Sequence, residues 1–164
     1  MKKGEIYEGV IEKVDFPNKG YVFVEDQKVL IKNGIPGQKV RFMIQKKRSG
    51  RAQGRILEVM EKSPLETREP VCSNFPACGG CMYQTMSYED QLHMKETQIR
   101  ELLEDALVQG GQVNENGQAD FEWEGIHGSP IEFGYRNKME FSFGDEYKDG
   151  PLSLGLHKKG STYD

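Results

Sequence analysis

The first sixty residues break into five short β-type runs, Ile6 to Val14, Gly20 to Val24, Lys28 to Ile31, Lys39 to Gln45 and Arg55 to Met60. That punctuation limits the fold more than any other feature. The separators are turn chemistry: Phe16-Pro17-Asn18-Lys19-Gly20, Glu25-Asp26-Gln27, Asn33-Gly34-Ile35-Pro36-Gly37 and a basic tip around Ser49-Gly50. Strands this short leave exposed edges unless they close. Closure gives a small OB-like barrel, a shape whose face commonly takes oligonucleotides. The aromatics Tyr7, Phe16, Tyr21 and Phe23 are of the type that stacks on bases. A barrel this small needs bulk inside, so Tyr21 and Phe23 are expected in the core.

Charge divides the chain in the same place. Residues 1 to 60 carry 13 Lys/Arg against 7 Asp/Glu, and residues 61 to 164 carry 9 against 19, so a net +6 is followed by −10. Between Lys39 and Arg55 the cations Lys39, Arg41, Lys46, Lys47, Arg48, Arg51 and Arg55 occur without one acid. A polyanion is the natural partner of that half, and a solvated hairpin tip is the plain alternative. No stretch approaches a membrane-spanning length of apolar residues and the amino terminus leads into a charged strand, so a cytoplasmic protein is expected, with no membrane partner.

The cysteines Cys72, Cys78 and Cys81 fall within ten residues as Cys-x5-Cys-Gly-Gly-Cys. Thiolates are soft donors for zinc or iron–sulfur clusters, and such sites normally take four protein ligands, so this set is one short. A disulfide would strand the third thiol. Gly79 and Gly80 allow a tight bend that suits a metal-bound loop. Residues 61 to 70, with Pro64 and Pro70, read as a linker into this loop. The expected division is a barrel over 1–62, linker and cysteine loop over 63–86, and a helix plus an incomplete β unit over 87–164.

Ser87 followed by Asp90 has capping-box spacing for a helix running to about Val108, with Leu92, Ile99, Leu102, Leu103, Ala106 and Leu107 as its apolar stripe and Gly110-Gly111 beyond its end. His93 borders that stripe and reads as a boundary residue. Asn114 to Ala119 is a polar insertion without signal. From Tyr135 to Phe143 the chain alternates with period two, predicting a strand with Arg136 and Lys138 on one side and Asn137 a polar exception on the other. Leu152, Leu154 and Leu156 predict its hairpin partner. Gly155 and Gly160 have P-loop spacing, but Ser161 follows where a Lys is required, and no Gly-x-Gly-x-x-Gly follows a strand. With all three thiols in one loop, no catalytic residue is assigned. The class expected is mainly β with one long helix.

Together these motifs resemble the N-terminal half of class I RNA uracil-5 methyltransferases of the iron–sulfur, TRAM-containing type. Pro70-Val71-Cys72 through Cys78-Gly79-Gly80-Cys81-Met82-Tyr83-Gln84 is similar to that family's cluster motif, and Ser87-Tyr88-Glu89-Asp90-Gln91-Leu92 with Lys95 to the helix after it. Tyr135-Arg136-Asn137-Lys138 with Phe141, and Gly155 to Ser161, resemble two strands of its central domain, and residues 1 to 60 resemble a TRAM barrel. The resemblance implies a 4Fe-4S cluster on Cys72, Cys78 and Cys81, with a fourth cysteine beyond residue 161. It implies a further Rossmann-like domain that binds S-adenosylmethionine and carries the catalytic groups, leaving this chain as the recognition half of a monomeric enzyme. RNA, here 23S rRNA, is the expected partner, with Lys46, Lys47, Arg48, Arg51, Arg55, Arg136, Asn137 and Lys138 as its contacts. Two alternatives stand beside this reading: a free-standing RNA-binding TRAM module with a cysteine metal knuckle, and a cluster-bearing redox protein.

Overall fold

In the computed structural model, residues 1–48, 50–145 and 147–159 are described. The hairpin of β3 (Lys19–Val24) and β4 (Gln27–Lys32) follows from strict alternation. Gly20, Val22, Val29 and Ile31 are buried, while the residues between them point outward. Glu25 and Asp26, both at positive φ, form its two-residue turn, the geometry that matches strand twist. Ahead of it run β1 (Ile6–Val10) and β2 (Lys13–Asp15), halves of one strand bent at Ile11 and Glu12. At the bend the Ile11 amide donates to Gln38 O at 2.9 Å and the Glu12 amide to Tyr21 O at 3.0 Å, so the strand changes partners there.

The remaining strands are β5 (Lys39–Arg48) and β6 (Arg51–Glu61). β5 pairs antiparallel with β1 and β6, while β6 also pairs parallel with β4, placing Val29 opposite Ala52. The ladder order is β1-β5-β6-β4-β3-β2. Because β1 and β2 are one bent strand, this order brings the sheet back onto itself as a five-stranded OB-like barrel. Its core is Ile11, Val14, Val22, Val29, Ile31, Val40, Phe42, Ile44 and Ala52. Gly20 and Gly54 belong to this packing: a Cβ on Gly20 would lie 2.8 Å from Ile31 O, and one on Gly54 2.7 Å from the Phe42 ring.

The expected barrel and the mainly-β class with one long helix are borne out. Tyr21 and Phe23 are a correction. Both occupy outward positions of β3, and Phe23 is 46% exposed, because alternation gives the inward places to Gly20 and Val22. The bulk they were expected to supply comes from Phe42 and the aliphatics. The basic tip is also shorter than expected, since β5 and β6 extend to Arg48 and Arg51; Ser49 lies outside the described residues.

Helix α1 (Tyr88–Gln109) starts where the sequence places it, with Ser87 Oγ accepting from the Asp90 amide at 3.0 Å and Gly110 at its end. Its expected apolar stripe is not its buried side. Leu102 and Leu103 are 54% and 41% exposed, whereas Met94 and Gln98 are buried. The reason is polar as much as apolar: the Gln98 amide donates to Val14 O at 2.7 Å and Glu101 holds Lys13 at 2.7 Å, which turns that flank toward the barrel. Met94 joins Ile35 and Met86 in a second small core with Leu65 and Tyr83 at its margin.

The strand expected from Tyr135 is reduced to β7 (Ser142–Asp145), paired with β8 (Leu152–Gly155); residues 135–141 carry no ladder. Alternation selects a face for a strand but supplies no neighbour to pair with, and β8 is only four residues long. Among the described residues, no helix is long and apolar enough to cross a membrane.

Candidate nucleic-acid interface and cysteine loop

Residues of β3, β4, β5 and β6, with Gly50 between the last two, meet in one groove lined by Lys19, Tyr21, Lys28, Leu30, Lys46, Arg48, Gly50, Arg51, Ala52 and Gln53; the core residue Ala52 forms part of its floor. Five of these are cations and none is an acid. The strand register explains the convergence: Arg48 stands opposite Arg51, Lys46 opposite Gln53, Gln53 beside Leu30, and Leu30 opposite Tyr21. Lys28 places its ammonium 3.5 Å from the Tyr21 ring centroid, a cation–π contact that fixes the charge over the groove. Burial, then the hydrogen-bonded Asp15 carboxylate, push the Tyr21 phenol above its usual range. In OB-like barrels oligonucleotides bind on the face of the second and third strands and the loop joining the last two, which here are β3, β4 and the turn between Arg48 and Arg51.

The structure sorts the basic run by face. Lys46, Arg48 and Arg51 line the groove; Lys47 alternates away from it and donates to Met1 O at 3.2 Å. Arg55 is opposite Met43 and does not line the groove. Lys39 pairs with Glu61 at 2.8 Å, and Arg41 is held by Glu8 at 3.0 Å and Glu58 at 2.7 Å, so both charges are already matched by carboxylates. Arg136, Asn137 and Lys138 are exposed, lie in the unpaired run before β7 and do not line the groove; Lys138 pairs with Glu140 at 2.7 Å. Lys19 and Lys28 are groove residues that the sequence reading missed. Their signal was present: each occupies an outward position of an alternating strand, but outside the dense basic run.

The cysteine loop lies beside the β2–β3 turn, where the Asn18 amide donates to Met82 Sδ at 2.6 Å. Its other side is pinned to the segment after β8: the Gly79 amide donates to His157 O at 2.8 Å and the Lys159 amide to Ala77 O at 2.9 Å. A Cβ on Gly79 would come within 2.7 Å of His157 O, which is why glycine is needed at that approach. The rest of the expected segment, Gly160 and Ser161, lies outside the described residues.

All three thiols are free; Cys78 is half-buried while Cys72 and Cys81 are exposed. The Gly80 amide donates to Cys78 Sγ at 3.3 Å, and Lys159 lies over the Phe75 ring at 4.7 Å. Burial lowers the Lys159 pKa, and the Cys81 and Cys78 sulfurs partly restore it, so the cation is electrostatically coupled to both. An amide donor and a neighbouring cation suit anionic sulfur, so the chemistry around Cys78 and Cys81 fits a thiolate-bound metal group. Among the described residues, no three His, Cys, Asp or Glu side chains converge as a ligand set.

An OB-like barrel whose groove lining holds five cations and no carboxylate is followed by a cysteine loop and one helix. Comparison with protein-family models gives no match. The chain is 44% identical over all 164 residues to an uncharacterized RNA methyltransferase of Caldanaerobacter subterraneus subsp. tengcongensis, of which it covers 34%. It is 44% identical over 163 residues to an uncharacterized RNA methyltransferase of Clostridium tetani and 40% identical over 163 to one of Clostridium acetobutylicum, covering 33% of each. The chain is therefore a homologue of proteins named RNA methyltransferases, and it spans about a third of the length of the curated relatives it matches.

Proposed function

We propose that this chain is the RNA-recognition part of an RNA methyltransferase, and that the barrel groove is where RNA is held. The observation that carries this is the union of Lys19, Lys28, Lys46, Arg48 and Arg51 on one face without a carboxylate among the groove's lining. Phosphates dominate nucleic-acid affinity, and unmatched cations gathered on one face are what phosphates select. Methyl transfer from S-adenosylmethionine, with uracil C5 of an rRNA as acceptor, would be the work of the rest of the longer protein, the two-thirds of each relative that this chain does not cover.

Cys72, Cys78 and Cys81 would supply three ligands of a 4Fe-4S cluster. Such a group, when bound, would pin the loop that joins barrel, helix and the segment after β8, much as a structural metal substitutes for core. The direct test of the groove is ultraviolet cross-linking of this chain to RNA, followed by peptide mapping. Cross-links within residues 19–32 and 46–53 are expected. Cross-links confined to residues 61–159 would overturn the assignment.

A further inference from the structure

Tyr21 and Phe23 emerge on the outside of β3, and their surroundings differ. The Tyr21 ring already carries the Lys28 ammonium, at 3.5 Å from its centroid. Phe23, the next outward position, is 46% exposed and stands directly opposite Lys28 in the strand register. The half-exposed ring has no place in the barrel core, so its outer side is open to a partner beside a positioned cation. A stacked base would cover the ring while its phosphate meets the ammonium, which is the pairing used by single-strand binding surfaces.

We propose that the groove takes an unpaired RNA strand that continues past its lining, with one base stacked on Phe23, which borders the groove without lining it, and the adjoining phosphate held by Lys28, itself positioned by Tyr21. This rests on the RNA-interface reading above and narrows it to a substrate class. Paired bases keep their faces inside the helical stack, and double-stranded RNA is recognised through phosphates and 2′-hydroxyls instead. An exposed ring therefore discriminates for unpaired bases, whereas the five cations alone would accept either form. The cationic patch is small: strand rise and ladder spacing give about 13 Å along β3 and about 14 Å from β3 to β5, enough for a few nucleotides.

The test uses the full chain with three probes: a labelled oligouridylate of about ten nucleotides, within the range one such barrel covers, an RNA duplex of equal length, and heparin as a polyanion without bases. Phe23→Leu keeps apolar bulk and removes the ring; a urea midpoint equal to that of the unmodified chain controls for folding. It is expected to weaken oligouridylate binding about tenfold, toward the lower end of what a single stacking contact contributes because leucine keeps some apolar contact, with heparin and duplex binding unchanged. Phe23→Trp is expected to restore affinity, and its emission to be quenched by oligouridylate, while the emission of Trp123, the sole tryptophan of the unmodified chain, stays constant. Unchanged oligouridylate binding by Phe23→Leu, an equal loss on heparin, or duplex binding as tight as oligouridylate would each overturn the proposal. Failure of the underlying interface reading looks different: neutralising Lys46, Arg48 and Arg51 together would then leave binding of every probe unaltered.

Discussion

The barrel and the hairpin region after residue 120 use similar residues to opposite ends. In the barrel, Val, Ile and Phe at alternate positions close a core in which Phe42, Ile11, Ile31, Ile44, Val22, Val29 and Val40 are fully buried. On β7 and β8 the same alternation leaves Phe143, Leu152 and Leu154 at 72%, 75% and 59% exposure. Phe143 pairs with Leu154, so these side chains share one face. The difference is closure. A sheet that bends back on itself supplies its own second layer, whereas a two-stranded ribbon has none and is marginal by itself. Apolar alternation thus marks a face in both regions but makes a core in one.

The strongest attack on this contrast is a matched pair of truncations. Phe42→Ala is expected to cost about 3–5 kcal/mol in urea unfolding, the usual range for a fully buried aromatic. Phe143→Ala should stay within about 0.5 kcal/mol, as for exposed sites. Comparable losses at both positions would mean that the hairpin face is packed.

Backbone approach sharpens the barrel side further. Gly20→Ala sets a Cβ 2.8 Å from Ile31 O, a backbone atom that cannot swing away, and a loss of about 1–3 kcal/mol is expected by thermal or urea melting. A neutral result would show that the β3–β4 ladder has room to spread. Between the two regions, Gln98→Ala removes the amide that satisfies Val14 O and should cost about 1–2 kcal/mol. Helix ellipticity melting in the same transition as the barrel is the expected readout, and separate transitions would detach α1 from it.

The smallest expected effect on RNA concerns the cysteine loop. After anaerobic reconstitution with iron and sulfide, Cys78→Ser should lose the visible absorption of a cluster while RNA affinity changes less than about twofold, because the groove lies on other strands. Parallel loss of both would mean that the loop organises the binding face. A colourless protein holding stoichiometric zinc would remove the iron–sulfur reading altogether.

The barrel was legible because turn residues and period-two runs agree throughout residues 1–60. The bend at Ile11 was not: the adjacent charges Glu12 and Lys13 interrupt the alternation of the run from Ile6 to Val14, but nothing in that break announces the change of partner, from β5 to β3, that divides it. Ser87 announced the helix start through a local hydrogen bond. Its buried flank escaped notice because a glutamine, Gln98, takes the central place by satisfying a barrel carbonyl. Half of the groove was readable in the run from Lys46 to Arg51. Lys19 and Lys28 belong to it through β-pairing across the sheet, and Arg41, although in the same run, is withdrawn by Glu8 and Glu58 from two other strands. Strand facing also moved Tyr21 and Phe23 from the expected core to the surface, since the inward places on β3 fit Gly20 and Val22.

The groove assignment meets its most direct test in the salt dependence of oligouridylate binding by three forms of this chain: unmodified, Lys46→Gln/Arg48→Gln/Arg51→Gln, and Lys39→Gln/Arg41→Gln. Each lost contact to a single strand should flatten the log–log slope by about 0.7. Groove binding requires a slope about 2 units shallower for the triple variant and an unchanged slope for the double variant, whose cations are already paired with carboxylates. Equal flattening in both variants, or none in either, would contradict it.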